Sequence, residues 1–315
     1  MILRTILTLL AAACLAACAT AAPDVVGAKR IALTFDDVPR SAGAFMTPDE
    51  RTTRLIDALE WAGVEQAAFF INPASIAQSN GAAERIARYV AAGHVLANHT
   101  NSHPHLSELS AEAFLADIDK AAEWLDTQPA NRPWMRYPFL DEGGSDKAKV
   151  AAVRAGLAAR GLRNGVVTID ASDWGYDDMA TQAKAAGKTM DMNAFSDLWV
   201  ESHVEAAEFY DDLARRALGR SPAHVLLLHE TDVTTLFLTD LGSALRAKGW
   251  TIISADEAFA DPIAHLLPDV PSAQGTITEM VAWERGFPAP RWYARNNQAL
   301  ATAEFERRVL KKGSE

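Results

Sequence analysis

The sequence predicts an α/β protein built on a parallel β-sheet. Short apolar runs typical of buried parallel strands alternate with longer amphipathic segments typical of helices, from residue 30 to about residue 259. Five of the apolar runs are followed directly by residues that can do chemistry. Open doubly wound sheets and closed barrels both place active sites at the carboxyl ends of their strands, so both architectures fit the pattern.

Periodicity and capping residues give the order of the elements. Strands are predicted at residues 31–35, 67–71, 95–97, 134–137, 166–169, 225–228 and 251–253. Helices are predicted at residues 48–62, 82–92, 111–125, 147–160 and 235–248. Thr47-Pro48-Asp49-Glu50 has the form of a capping box with proline at the first helical position, and Ser110 is expected to cap the third helix.

Composition limits the class of protein. At 315 residues the chain is long enough for one large domain or two smaller ones, and its 49% of hydrophobic residues can form a sizeable core. The net charge of −11 argues against nucleic acid or an anionic membrane surface as a partner. An acidic protein of this kind suits a neutral or cationic ligand.

The first residues have the character of an export signal. Residues 1–17 contain one basic residue and an apolar core too short to span a bilayer comfortably, and the run Leu-Ala-Ala-Cys at its end resembles a bacterial lipobox. We predict a lipoprotein signal peptide cleaved before Cys18, which would carry the lipid, with residues 18–29 as a tether. The alternative is an ordinary signal peptide cut after Ala21 or Ala22. In either case the mature protein is exported and retains at most one cysteine.

Two motifs offer metal ligands. Asp36 and Asp37 follow the first strand, so one carboxylate could bind a metal while its neighbour faces the reacting water; a solvated turn is the alternative. His99 and His103 are four residues apart, which predicts two imidazoles on one face of a helical turn, with a polar loop as the alternative. One aspartate and two histidines would leave coordination positions open, as catalytic metal sites do.

Three further motifs supply charged and polar groups. Arg136 follows a short apolar stretch, and a buried arginine needs a carboxylate partner; a surface arginine is the alternative. Asp173 and Trp174 place an acid beside a large apolar side chain, although Asp173 could equally cap a helix. His229 ends a buried apolar run, where a catalytic role competes with that of a core histidine bonded to the backbone.

Taken in order, the five motifs resemble those of one known family, the polysaccharide deacetylases (carbohydrate esterase family 4, with the NodB homology domain). The family signatures are TFDD, H-[ST]-x-x-H, R-x-P-[YF], D-x-x-D-W and an apolar run ending in histidine. This chain has TFDD, HTNSH, RYPF, DASDW and LLLH, over about three-quarters of its length. The resemblance implies a distorted (β/α) barrel with fewer than eight strands, formed by residues 30–260. A helical insertion at residues 175–223 and a C-terminal extension at residues 261–315, packed on the barrel, would complete it.

The resemblance also implies a divalent metal, usually zinc, with Co²⁺, Ni²⁺ or Mn²⁺ as alternatives. Carried over to this sequence, Asp37, His99 and His103 bind the metal. Asp36 is the general base, and Arg136 holds it in place.

The remaining implied roles concern the acid and the substrate. His229 is the general acid, oriented by Asp173, although the sequence leaves Asp170 open as its partner. The backbone N–H of Phe139 would stabilise the oxyanion, and Trp174 would form an apolar wall for the substrate.

The function implied is removal of N-acetyl groups from an amino-sugar glycan, such as chitooligosaccharide, peptidoglycan or an exopolysaccharide. The alternatives are O-acetyl ester hydrolysis on acetylxylan-like glycans, amide hydrolysis on a small non-sugar substrate, and a non-catalytic glycan-binding lipoprotein. The expected location is the bacterial cell envelope, as a periplasmic or outer-membrane lipoprotein attached only by its lipid, with secretion as the alternative.

The chain departs from the family pattern at several points. Val38 stands where the family often has glycine, and the third motif continues Tyr137-Pro138-Phe139-Leu140 where the family often has Pro-Pro-Tyr-Gly. Aromatic residues of the insertion are expected mainly in the core, with a sugar-stacking wall as the alternative: Tyr176, Phe195, Trp199 and Tyr210. The same choice, packing first and glycan contact second, applies to Trp283, Phe287, Trp292 and Tyr293 near the end of the chain.

Overall fold

A computed structural model describes residues 27–271 and 275–311. The predicted signal peptide, Cys18 and most of the predicted tether lie outside the described residues, and Lys29 already belongs to the first strand. Among the helices described, none combines the length and the apolar character needed to cross a membrane.

Within the described residues, seven strands form one parallel sheet. They are β1 (Lys29–Val38), β2 (Ala68–Ile71), β3 (Val95–Asn98), β4 (Asn131–Met135), β5 (Arg163–Asn164), β6 (Ala223–His229) and β7 (Trp250–Ile252). Their order is β5-β4-β3-β2-β1-β6, and β7 pairs with the beginning of β1.

Helices surround this sheet and alternate with its strands for most of the chain. They are α1 (Pro48–Trp61), α2 (Pro73–Ile76), α3 (Ala82–Ala91), α4 (Ala111–Leu125), α5 (Lys147–Ala159), α6 (Asp173–Ala185), α7 (Met192–Leu218), α8 (Asp232–Ala247), α9 (Ala255–Phe259), α10 (Ile277–Glu284) and α11 (Gln298–Arg308). The predicted capping box at Thr47 and Glu50 is present at α1, and the Ser110 side chain caps α4.

The two edges of the sheet meet, so the sheet closes into a barrel. Beyond β5 the chain runs alongside β6, where Ile169 forms a parallel bridge to Leu226. The N–H groups of Thr168 and Ile169 both donate to the carbonyl oxygen of Val225, at 3.0 and 3.1 Å. The result is a distorted barrel with fewer than eight strands, and the predicted fold class is confirmed.

The strand predicted at residues 166–169 is wrong in position and extent. The structure has the two-residue strand β5 and, after it, only the single bridge at Ile169. Arg136 provides the reason: its Nε donates to the carbonyl oxygen of Gly165 at 2.7 Å and its Nη2 to that of Val166 at 3.5 Å. A side chain here occupies carbonyl groups that a neighbouring strand would otherwise bind.

Strand β1 lies at the centre of the core, between β2 and β6. Its residues Ile31, Leu33 and Phe35 are fully buried. The Phe35 ring stacks on Phe69 of β2 with 5.0 Å between ring centroids, and Phe69 stacks in turn on Tyr89 of α3 at 4.1 Å. A strand covered on both faces needs apolar residues at successive positions, which explains the apolar run before Asp36; its one polar residue, Thr34, is buried and donates to the Leu226 carbonyl oxygen at 2.9 Å.

The insertion forms two helices, α6 and α7, and its aromatic residues belong to the core. Tyr176, Phe195, Trp199 and Tyr210 are all buried, so packing is confirmed over the sugar-stacking alternative for these four. Helix α10 packs on α7, and α11 packs on both α6 and α7. The final helices therefore reach the barrel mainly through the insertion.

Candidate active site and metal centre

A cavity of about 670 Å³ opens at the carboxyl ends of the strands. Seven of the residues singled out in the sequence line it: Asp36, Asp37, His99, His103, Phe139, Trp174 and His229. Arg136 and Asp173 lie directly behind its wall and are fully buried. The parallel register explains this convergence, because every strand of the barrel presents its carboxyl end on the same side.

Asp37, His99 and His103 form a compact cluster of potential metal ligands. Asp37 Oδ1 lies 3.0 Å from His103 Nε2 and 3.5 Å from His99 Nε2. One ligand atom from each residue can be chosen so that all three lie within 4.8 Å of one another. This separation suits three ligands around a single ion.

The two histidines reach this cluster from a loop, so the predicted helical turn is wrong. Thr100 and His103 have positive φ angles of 64° and 59°. Polar side chains stabilise this unusual backbone: Asn98 Oδ1 accepts a hydrogen bond from the Thr100 N–H at 2.8 Å, and Asn72 Nδ2 donates to the carbonyl oxygens of His99 and Thr100. Polar side chains outside the motif, those of Asn72 and Asn98, therefore shape the loop that brings the imidazoles together.

The donor set fits a divalent metal. His99 Nδ1 donates to the carbonyl oxygen of Arg136 at 2.9 Å, which leaves the Nε2 lone pair free to bind an ion. Asp37 Oδ1 is buried and has no hydrogen-bond partner among the described residues. Burial alone would raise the pKa of Asp37, but the imidazoles of His103 and His99 hold it well below its ordinary value. Two nitrogen donors and one carboxylate oxygen are a ligand set that zinc accepts, and other transition metals also bind imidazole.

Asp36 faces the cluster and is held from behind by Arg136. Arg136 Nη1 donates to Asp36 Oδ1 at 2.6 Å and to Thr34 Oγ1 at 2.9 Å, and the guanidinium lies 3.8 Å from the centre of the Phe70 ring. The other carboxylate oxygen, Asp36 Oδ2, lies 3.7 Å from His99 Nε2. The arginine therefore fixes one oxygen and leaves the other directed towards the ligand cluster.

His229 and Asp173 form the opposite side of the site. His229 Nδ1 donates to Asp173 Oδ1 at 2.7 Å, while Asp173 Oδ2 accepts from the His229 N–H at 2.7 Å and from Thr234 Oγ1 at 3.0 Å. Burial opposes a charged imidazole, yet the Asp173 carboxylate prevails and raises the pKa of His229 to about 9. His229 is thus held in its protonated form at neutral pH.

The structure places Asp173, and not Asp170, in contact with His229. Asp170 Oδ1 instead accepts a hydrogen bond from the Ser172 N–H at 2.7 Å. Burial raises the pKa of Asp170 to about 6, and the residue lines the cavity. Asp173 is the first residue of α6, one position after the helix N-cap that the sequence offered as an alternative role. Its carboxylate oxygens instead accept hydrogen bonds from His229 and Thr234.

Comparison with known proteins gives the family. The family model described as polysaccharide deacetylase matches residues 24–159. The chain is also 42% identical over 168 residues to a chitooligosaccharide deacetylase from Bradyrhizobium sp. (strain ANU 289), covering 52% of this chain and 68% of that relative. The protein belongs to the polysaccharide deacetylase family.

More distant relatives extend the similarity along the chain. A peptidoglycan-N-acetylglucosamine deacetylase from Listeria monocytogenes is 24% identical over 237 residues, or 75% of this chain, which spans only 40% of that relative's length. Among solved structures, the chitin deacetylase from the fungal pathogen Colletotrichum lindemuthianum superposes with a TM-score of 0.52 at 20% identity. That superposition covers 80% of this chain and 95% of the fungal one, and it supports the shared fold.

Phe139 and Trp174, the two residues expected to face the substrate, line the cavity of this polysaccharide deacetylase family member and are partly exposed. Phe139 has a φ of 58° within a short 3₁₀ turn, Pro138–Leu140. Its ring stacks on His105 with 3.6 Å between centroids and meets His103 edge-on at 4.5 Å. Trp174 is 41% exposed at the start of α6.

Sequence reasoning missed several residues that line the same cavity: Arg40, Leu140, Ser172, Asp178, Leu227, Glu279 and Asn296. Arg40 Nη1 donates to Asp37 Oδ2 at 2.8 Å, and its position three residues after an expected metal ligand was a usable signal. Glu279 and Asn296 come from the end of the chain, where no local pattern distinguishes a cavity residue from a surface one.

Proposed function

We propose that this protein is a metal-dependent hydrolase that removes acetyl groups from the nitrogen of amino-sugar residues in a glycan. One observation carries the proposal: a three-ligand cluster, a carboxylate held by a buried arginine and a histidine held by a buried aspartate surround a single cavity. The names of the Bradyrhizobium and Listeria relatives support chitooligosaccharide or peptidoglycan as the substrate, with an exopolysaccharide as a further candidate.

Asp37, His99 and His103 would hold a divalent metal, with zinc the first candidate and Co²⁺, Ni²⁺ or Mn²⁺ as alternatives. When bound, such an ion supplies Lewis-acid polarisation of the acetyl oxygen and lowers the pKa of a water molecule towards neutrality. The hydrogen bonds of the histidine loop to Asn98 and Asn72 would keep the ligands in place.

Asp36 acts as the general base in this proposal. Its free oxygen accepts a proton from the attacking water, whose oxygen forms a bond to the acetyl carbon. Arg136 holds the other oxygen, so the base keeps one orientation throughout the proton transfer. The Phe139 N–H would donate a hydrogen bond to the acetyl oxygen as negative charge develops on it.

His229 completes the reaction as the general acid. An amine is a poor leaving group, so the carbon–nitrogen bond breaks only when the nitrogen receives a proton. His229 Nε2 would deliver it, because Nδ1 is engaged by Asp173 and the raised pKa keeps the ring charged at neutral pH. The products are acetate and a glycan with a free amine.

The proposed cellular location is the bacterial cell envelope, with secretion as the alternative. A lipid attached at Cys18 would keep the enzyme at the bacterial cell envelope, as a periplasmic or outer-membrane lipoprotein, close to peptidoglycan and exported polysaccharides. Trp174 would then provide an apolar wall against a sugar ring of such a polymer.

The test is release of acetate by the purified protein from N-acetylated chitooligosaccharide, peptidoglycan and acetylxylan, with added zinc or with a chelator. Zinc-dependent release from either N-acetylated glycan supports the proposal. Release from acetylxylan alone would replace it with O-acetyl ester hydrolysis, and no release with metal bound would favour a binding role.

The Asp36→Asn variant separates chemistry from metal binding. It should retain the metal, as measured by elemental analysis, while turnover falls at least ~10²-fold, the scale of lost acid–base catalysis. Turnover close to that of the unmodified protein would overturn the assignment of the base.

A further inference from the structure

The wall of the cavity includes residues from the end of the chain. Glu279 in α10, together with Trp292 and Asn296 just before α11, lines the same space as the candidate catalytic residues. None of these three residues belongs to the family motifs, and all lie beyond the segment matched by the family model.

Trp292 is presented to the cavity by a well-anchored segment. The neighbouring Tyr293 is only 6% exposed, and its hydroxyl donates to Glu205 Oε2 at 2.6 Å. Arg295 is bonded to Glu201 and Ser202 of α7. Trp292 itself remains 45% exposed, a large apolar surface left open in a segment that buries its neighbour. The two neighbouring aromatic residues therefore differ in role: Tyr293 is buried against the protein, and Trp292 faces the cavity.

Polar groups lie on the same wall. Asn296 Nδ2 donates to the carbonyl oxygen of Asp170 at 3.1 Å, whereas Asn296 Oδ1 is buried and has no partner among the described residues. Tyr210 donates to Glu279 Oε1 at 2.5 Å. Burial, with the Asp170 carboxyl group nearby, raises the pKa of Glu279 to about 8. Glu279 is therefore mostly uncharged at neutral pH, and Asn296 and Glu279 offer polar groups to a ligand without a strong negative charge.

An exposed indole beside polar acceptors matches the surface of a pyranose ring. Such a ring carries apolar C–H groups on its faces and hydroxyl or amide donors around its edge, so it can pack on an aromatic face while donating hydrogen bonds. The cavity of about 670 Å³ lies within the range of roughly 300–1,000 Å³ typical of pockets for drug-sized ligands, so a disaccharide unit is of suitable size.

We propose that Trp292, Asn296 and Glu279 form a subsite for the sugar unit adjacent to the one that loses its acetyl group. The inference rests on the proposed deacetylase function and assigns contact with a second sugar unit to three residues at the end of the chain. The end of the chain thereby selects substrate length, a task that the family motifs do not perform.

The test compares N-acetylglucosamine with its β-1,4-linked tetramer in the full-length protein, using Trp292→Ala and the matched control Trp283→Ala. Trp283 is 40% exposed in the same part of the chain, lies 4.5 Å from the Arg291 guanidinium and is not part of the cavity wall. In Trp292→Ala, KM for the tetramer should rise about tenfold with kcat within about twofold, as expected for loss of an apolar contact surface. The preference for tetramer over monosaccharide should shrink by the same factor, and Trp283→Ala should leave both quantities unchanged.

Equal KM values in the two tryptophan variants would overturn the subsite. A uniform loss of kcat on both substrates in Trp292→Ala would do so as well, because it would indicate a structural defect. Calorimetric titration with the tetramer separates this inference from the deacetylase proposal. If the unmodified protein binds the tetramer without releasing acetate and Trp292→Ala binds it about tenfold more weakly, the subsite stands while the proposed reaction fails.

Discussion

Two aspartate–histidine pairs, Asp173–His229 and Asp37–His103, lie at the cavity, and they differ in how completely the carboxylate is bonded. Asp173 is fully buried and receives three hydrogen bonds, from two groups of His229 and from Thr234. The Asp37 side chain is 27% exposed, and its buried Oδ1 has no hydrogen-bond partner in the part of the chain that the structure describes, although His103 Nε2 lies 3.0 Å away. The same two residue types therefore form two different pairs. Asp173–His229 is a fully bonded proton-holding pair, and Asp37–His103 is a candidate ligand pair with one unbonded carboxylate oxygen.

This contrast shows that residue identity alone does not assign a role. A buried carboxylate that already accepts three hydrogen bonds stabilises a charged imidazole and has little remaining capacity for a metal ion. An unsaturated one, beside imidazole nitrogens whose lone pairs are free, gains most from binding a cation. The number of hydrogen-bond donors around each carboxylate therefore distinguishes the partner of the proposed acid, Asp173, from the candidate metal ligand, Asp37.

The largest expected effect comes from breaking the ligand pair. His103→Ala should lose the bound metal and reduce turnover at least ~10³-fold, because the Lewis-acid contribution is worth several kcal/mol. Elemental analysis and acetate release measure the two quantities. His265→Ala, which removes a histidine outside the cavity, serves as the control and should keep both. Full metal occupancy in His103→Ala would show that the cluster is not the metal site.

Breaking the proton-holding pair should leave the metal in place. His229→Ala removes the proposed acid, so turnover on an amide substrate should fall at least ~10²-fold at unchanged metal content. An acetyl ester of a good leaving group needs less protonation, and its hydrolysis should fall less. Equal losses on the amide and the ester would argue against His229 as the acid.

A smaller effect is expected when the pair is weakened and not removed. The Asp173 carboxylate raises the pKa of His229 to about 9, so activity should decline as the pH rises through that region and the acid loses its proton. Asp173→Asn removes the negative charge and should move this basic limb of the kcat profile at least about one unit towards lower pH. The same substitution at Asp170 should leave the limb in place, because Asp170 does not contact His229; the reverse result would exchange their roles.

The smallest effect concerns the third donor to Asp173. Thr234→Val removes two buried hydrogen bonds, one donated to Asp173 and one accepted from Thr231, and should lower the free energy of unfolding by ~2 kcal/mol, measured by urea denaturation, with a shift of the basic limb below that of Asp173→Asn. Thr52→Val is the matched control: Thr52 is equally buried, donates to the Pro48 carbonyl oxygen at 2.9 Å, accepts from the Tyr89 hydroxyl at 3.4 Å and bonds to neither His229 nor Asp173. It should cost similar stability without changing the pH profile, and an identical pH shift in both variants would refute the local effect.

Much of the fold was predictable because the signals are local. Apolar runs gave six of the strands within a few residues, and the capping residues Thr47 and Ser110 marked two helix starts. The five motifs also predicted which side chains converge, since parallel strands present their carboxyl ends at one edge. The division of the chain at residues 260 and 261 stays a prediction.

The rest depends on contacts between distant residues. The loop that carries His99 and His103 is stabilised by Asn72, far earlier in the chain, and its positive φ angles contradict the simple helical spacing. Glu279 and Trp292 join the cavity because α10 and α11 pack on the insertion and because the start of α10 bonds to the carbonyl oxygens of Val167 and Thr168. No pattern within either segment records that packing, so these cavity residues required a structure.

The buried guanidinium of Arg136 has a consequence for how the active site matures during folding. It touches Thr34 and Asp36 in the first strand and also occupies the carbonyl oxygens of Gly165 and Val166, where the barrel closes. Asp36, the proposed base, is therefore fixed in position only when the seam of the barrel has come together. Activity should therefore appear only after the barrel has closed. A partly folded chain that already binds metal would still lack an oriented base.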